Sequence, residues 1–143
     1  MKKTYYLILV ILVFVFIGCG GKEIKPSADS VLTKEVRSKI DAIRTAYQDK
    51  DKAAMESHTD SILADRISKG LFFTNAELSF TLKKVSINSS TVTVSLSWQG
   101  TWIVKGDNIK KQGISVFVFE GIPMKLVNIN WDNPFQTPLA REQ

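Results

Sequence analysis

Between Thr91 and Val104 the chain alternates so regularly that only one local conformation suits it. Val92, Val94, Leu96, Trp98, Trp102 and Val104 share one parity, while Thr91, Thr93, Ser95 and Ser97 share the other. Successive side chains of a strand point to opposite faces, so this spacing predicts a long strand with one apolar face and one hydroxyl face. Antiparallel sheets commonly bury one face and solvate the other, and an apolar face carrying two indoles requires a covering layer. Gly100 falls inside the run, at a position where a strand can bend.

The neighbouring segments supply strands to pair with it. Leu78, Phe80 and Leu82 alternate with polar residues, and Val85 and Ile87 continue with the opposite parity. That reversal predicts a strand with a bulge near Lys83-Lys84, ended by a turn at Asn88-Ser89-Ser90. After a turn over Lys105-Gly106-Asp107-Asn108, the run Ile114 to Phe119 is apolar on both parities, as expected of a central strand covered on both sides. Lys110-Lys111 reads as a solvated edge that discourages pairing with other chains. A turn over Glu120 to Pro123 leads into a last strand from Met124 to Trp131.

Upstream of the strands the apolar period is helical. Leu32, Val36, Ile40, Ile43 and Tyr47 step by four, four, three and four, one face of a helix, with Glu35–Lys39 and Arg37–Asp41 spaced for pairing on the other. Asp51 is placed to cap a second helix through Glu56. A third helical segment is expected from about Asp60 to Lys69, with Ile62, Leu63 and Ile67 inward and Gly70 as the stop. The join through Leu71-Phe72-Phe73 fits helix or strand. Helices first, then four strands on short turns, predict an α+β domain with its helices packed on one face of an antiparallel four-stranded sheet.

The long helix, the break Asp49-Lys50-Asp51-Lys52-Ala53-Ala54-Met55, and the ending from Gly121 through Lys125-Leu126 to Asp132-Asn133-Pro134-Phe135 resemble the nuclear-transport-factor-2-like superfamily over about 29–135. The resemblance implies a curved sheet wrapped around the helices. It also implies that a catalytic member would set a histidine and an aspartate in the mouth of the sheet.

At the other end of the chain, Met1-Lys2-Lys3 precedes thirteen apolar residues, Tyr5 to Ile17. Thirteen helical residues rise roughly 20 Å, short of a membrane's hydrocarbon core, so the layout favours an export signal over a permanent span. Phe16-Ile17-Gly18-Cys19 resembles the lipobox of bacterial lipoproteins, in which the thiol is diacylated and the signal is cut before it. The expected organisation is a signal peptide over 1–18, a lipidated tether over 19–28, and the α+β domain over 29–143. The expected place is the bacterial cell envelope, anchored by lipid on Cys19 with the domain outside the cytoplasm. Cys19 is the only cysteine, so no disulfide can form within the chain and the core alone must hold the domain.

Loss of Lys2 and Lys3 with the signal lowers the net charge from +5 to +3, and the 15 Lys and 4 Arg are scattered, a pattern that does not suit nucleic acid. No metal or cofactor motif is present, since zinc would want three or four clustered ligands and His58 is the only histidine. With Asp60 and Asp65 close in sequence, His58 gives an alternative reading as the base of a small cavity enzyme. The leading expectation is a non-catalytic domain that binds an apolar small molecule or an envelope protein. Its candidate pocket comprises Trp98, Trp102 and His58, and the indoles of Trp98, Trp102 and Trp131 are read chiefly as core.

Overall fold

A computed structural model describes residues 27–139. The first helix, α1 (Ala28–Gln48), starts where Ser27 Oγ accepts from the Ser30 amide at 3.2 Å. It buries Val36, Ile40, Ile43, Ala46 and Tyr47, with Leu32 half-buried against the same core. The period of four and three thus becomes one docked face. On the outer side Lys39 meets Glu35 at 3.9 Å, while Asp41 pairs with Arg44 at 3.3 Å and not with the expected Arg37.

Asp51 caps α2 (Lys52–His58) by accepting from the Ala54 amide at 3.0 Å, and Asp60 caps α3 (Ser61–Ser68) by accepting from Ile62 at 2.9 Å. The buried stripe of α3 is Leu63, Ala64 and Ile67, whereas Ile62, expected inward, is 71% exposed. The roll of so short a helix is fixed from outside it: Thr59 bridges Leu126 and the Asp60 amide donates to the Leu126 carbonyl at 2.8 Å. Leu71-Phe72-Phe73 is neither helix nor strand. Phe73 turns into the core, held by the Lys50 ammonium, which donates to the Phe73 carbonyl and lies 4.8 Å over its ring.

Four strands follow in one antiparallel sheet of order β1-β2-β3-β4: β1 (Asn75–Asn88), β2 (Thr91–Val104), β3 (Asp107–Glu120) and β4 (Lys125–Trp131). The expected bulge falls between Leu82 and Lys84, and a second register shift falls at Val118/Phe119 against β4. Such bulges bend and twist a strand, and here they help wrap the sheet about the helices. All six apolar residues of β2's even parity are buried. Gly100 lies beneath the Trp102 ring, where an added Cβ would stand 2.2 Å from it.

Because all three helices lie on one face, β3 is not covered on both sides as its composition suggested. Phe117 and Phe119 are buried, Val116 and Val118 are half-buried, and Ile114 is exposed. β4 pairs with β3 only from Ser115 to Glu120, so the half of β3 that carries Lys110 and Lys111 is a free edge.

Candidate functional site

The apolar end of the sheet is closed from three directions. Trp102 Nε1 donates to the Tyr47 hydroxyl at 2.9 Å, the Tyr47 hydroxyl meets Thr137 Oγ1 at 3.2 Å, and Thr137 donates onward to the Gly70 carbonyl. This chain ties β2 to α1, to the segment after β4, and to the loop after α3. Phe135 packs beside it, with ring centroids 5.3 Å from Tyr47 and 5.8 Å from both Phe80 and Phe117. Burial pushes the Tyr47 phenol above its ordinary pKa, partly offset by its bonds with Thr137 and Trp102. The space left by two short helices is therefore filled by side chains from beyond the last strand.

Open space lies instead at the corner where β4 ends. Trp131 has φ +67°, an uncommon conformation for a bulky residue, and the chain leaves the sheet there. Asp132 then fastens to β3: its amide donates to the Ile114 carbonyl at 3.2 Å, and its Oδ2 accepts from the Ile114 amide at 3.2 Å. Trp131, expected in the core, is 73% exposed.

Two grooves meet at this corner, of about 740 Å³ and about 660 Å³, and they share Trp98, Gln112, Trp131 and Asp132. The first runs onto the hydroxyl face of the sheet past Ser97 and Thr81. The second runs along the free edge to Lys111, Asn133 and Gln136. Their lining mixes indole with hydroxyl and amide groups, so this corner is an open polar and aromatic surface.

Trp98 forms the floor of the corner. It is 6% exposed and packs edge-on against Trp102 with ring centroids 6.2 Å apart, but among the described residues no group accepts from its Nε1. An added Cβ at Gly113 would stand 2.9 Å from Trp98 Cε2, the carbon bonded to Nε1, and 2.6 Å from Asp132 Oδ2. The fused-ring carbon Cε2 of Trp98 therefore lies against the bare backbone of Gly113, with the Asp132 carboxylate close to the same glycine. An unpaired N–H in such a place costs free energy that a partner would recover.

The structure does not bring His58 to this site. His58 ends α2, next to Thr59 and its bridge to Leu126, which lies across β3 from Val92. Val92 and Trp98 are six strand residues apart, roughly 20 Å. Burial lowers the His58 pKa below its ordinary 6.5, and the positive charges of Lys39 and Lys125 lower it further. Its Nδ1 is buried without a partner, Asp60 is engaged as a helix cap, and Asp65 pairs with Lys69 at 2.6 Å. No aspartate is thus placed to orient the ring. Trp131, Asp132 and Gln112 were missed as site residues, because nothing in the sequence signals that the chain leaves the sheet at Trp131. Cys19 lies outside the described residues.

No family profile and no curated protein sequence matches the chain. Among solved structures it is similar to a nuclear transport factor 2 (NTF2-like) superfamily protein from Salmonella enterica serovar Typhimurium LT2, with a TM-score of 0.67 at 14% identity over 81% of this chain and 100% of that one. The fold is that of the NTF2-like proteins. An NTF2-like protein of unknown function from Shewanella oneidensis MR-1 is more distantly similar, with a TM-score of 0.47 at 17% identity over 66% of this chain and 92% of that one. The order of helices and strands in this domain is that expected from the sequence, three helices and then a four-stranded curved antiparallel sheet.

Proposed function

We propose that the protein is a lipid-anchored cell-envelope domain that binds a small ligand without transforming it. The observation that carries the binding reading is the unpaired Trp98 N–H under a groove rimmed by an exposed Trp131 and Asp132. Folding alone gains nothing from leaving that donor unpaired or that indole in water, so the corner has the makings of a recognition surface. Catalysis has less support, since His58 lies far from the groove and no aspartate orients it.

The anchor reading rests on Gly18-Cys19 after the apolar run. Two acyl chains at ~0.8 kcal/mol per buried methylene hold a protein to a membrane stably, whereas one chain is marginal. Among the described residues no helix is long and apolar enough to cross a membrane. Cys19→Ser is expected to move the protein to the soluble fraction or leave it as an uncut precursor. Membrane-bound protein whose Cys19 is unmodified by mass spectrometry overturns the anchor.

Binding is tested by a thermal-shift screen of the soluble domain against a metabolite panel. The expected result is at least one compound that stabilises the parent and fails to stabilise Trp131→Ala. Stabilisation that survives in Trp131→Ala with every active compound places binding elsewhere and removes this reading of the corner.

A further inference from the structure

We infer that the corner binds a neutral oligosaccharide, with Trp131 stacked against the face of one sugar ring and the two grooves holding its neighbours. The inference rests on the binding reading above and gives it a chemical class. The grooves share Trp131, so a ligand that uses both is elongated and contacts the indole. Charge narrows the choice. Among the described residues the only charged side chains lining the two grooves are Lys111 and Asp132, one of each sign, so neither an anion nor a cation finds a net counter-charge from them.

The remaining lining is Ser, Thr, Asn and Gln beside indole and Gly113, with Ile114 in one groove and Pro138 and Leu139 in the other, which suits a molecule that is itself part apolar face and part hydroxyl edge. A sugar ring presents axial C–H groups to an aromatic face and hydroxyls around its rim. Fatty chains would leave the amides and hydroxyls of both grooves unpaired, at a cost that the exposed indole does not offset.

The Trp98 N–H separates a hydroxyl ligand from an ammonium ligand. Asp132 is exposed, so its carboxylate can accept from a ligand while Oδ2 keeps the Ile114 amide. A hydroxyl seated there donates to the carboxylate and, once a small shift of the corner uncovers the buried Trp98 Nε1, accepts from it as well. An ammonium group has donors only and leaves the indole N–H unpaired.

The experiment titrates the soluble domain with chitotriose, cellotriose and maltotriose, following tryptophan fluorescence and calorimetry, with choline as the cationic control. At least one trisaccharide is expected to bind with a blue shift of the exposed indole. Affinity should change little between low and high salt, because no net charge is neutralised. Trp131→Ala should weaken binding by about tenfold or more, Trp131→Phe should restore part of it, and Asp132→Asn should weaken it while keeping the fold.

No trisaccharide bound at roughly 10 mM, or binding unchanged in Trp131→Ala, overturns the proposal. Choline binding that is lost in Asp132→Asn, with no sugar bound, overturns the sugar class while leaving a binding corner. A metabolite screen that finds no ligand dependent on Trp131 removes the binding reading itself, so the two failures are distinct.

Discussion

Trp98 and Trp102 are the same residue on the same face of the same strand, four positions apart and in edge-to-face contact, yet they sit in opposite circumstances. Trp102 is fully buried and its Nε1 donates to Tyr47. Trp98 is nearly as buried, but its N–H has no acceptor among the described residues, and it lines both grooves of the open corner. What separates them is the partner supplied from elsewhere: α1 brings the Tyr47 hydroxyl to Trp102, with Phe135 and Thr137 packed and bonded to Tyr47, and among the described residues no acceptor comes to the Trp98 N–H. Both indoles belong to the buried core, but one has its hydrogen bond made and the other, beside the open corner, does not.

The sharpest way to break this comparison is to remove the indole whose hydrogen bond is made. Trp102→Ala is expected to lose about 3–5 kcal/mol of stability, measured by chemical denaturation, since it empties a packed site and orphans Tyr47. A loss below about 1 kcal/mol would mean that this end of the face is no better packed than the other. Tyr47→Phe should cost less, about 1–3 kcal/mol, because it keeps the ring but leaves the Trp102 N–H and Thr137 without their shared partner. If Tyr47→Phe proves neutral, the hydrogen-bond chain does not distinguish the two indoles.

On the open side, Trp131→Ala should stay within about 0.5 kcal/mol of the parent, as expected for an exposed residue, while abolishing ligand-dependent stabilisation. A large loss of stability would place Trp131 in the core after all. The smallest effect concerns His58 at the far end of the sheet. Its folded pKa is lowered, so the unfolded chain holds the proton more readily just below pH 6.5, and stability contributed by neutral His58 is lost as pH falls through that window. The melting temperature of the parent should therefore drop relative to His58→Gln between about pH 7 and pH 5, with carboxylate titration common to both. Parallel curves for the two proteins would show that burial and the charges of Lys39 and Lys125 do not perturb the ring.

Much of the fold was legible because it follows from local rules. The β2 alternation, the stripe from Val36 to Tyr47, the Asp51 cap and the bulge beside Lys83 each depend on a few consecutive residues, and the structure shows all four. The errors fell where one element's orientation is decided by another. Ile62 faces solvent because Thr59 and Asp60 fix the roll of α3 against β4, and Val116 and Val118 lack a second covering layer because every helix lies on the opposite face.

The candidate site divides along the same line. Trp98 could be named from its parity alone, but the grouping of Trp98 and Trp102 with His58 could not be tested without the sheet register, which sets His58 about six residues along the strands from Trp98. Sequence by itself determined the apolar faces of α1 and β2, the order of three helices and four strands, and hence an α+β meander with helices on one side. Only tertiary structure decided that Phe135 and Thr137 return to seal the core and that a left-handed turn at Trp131 carries its indole into solvent. The physical reason is range: periodicity and capping act over a few residues, whereas a side chain's burial and hydrogen-bond partner depend on segments brought beside it from tens of residues away.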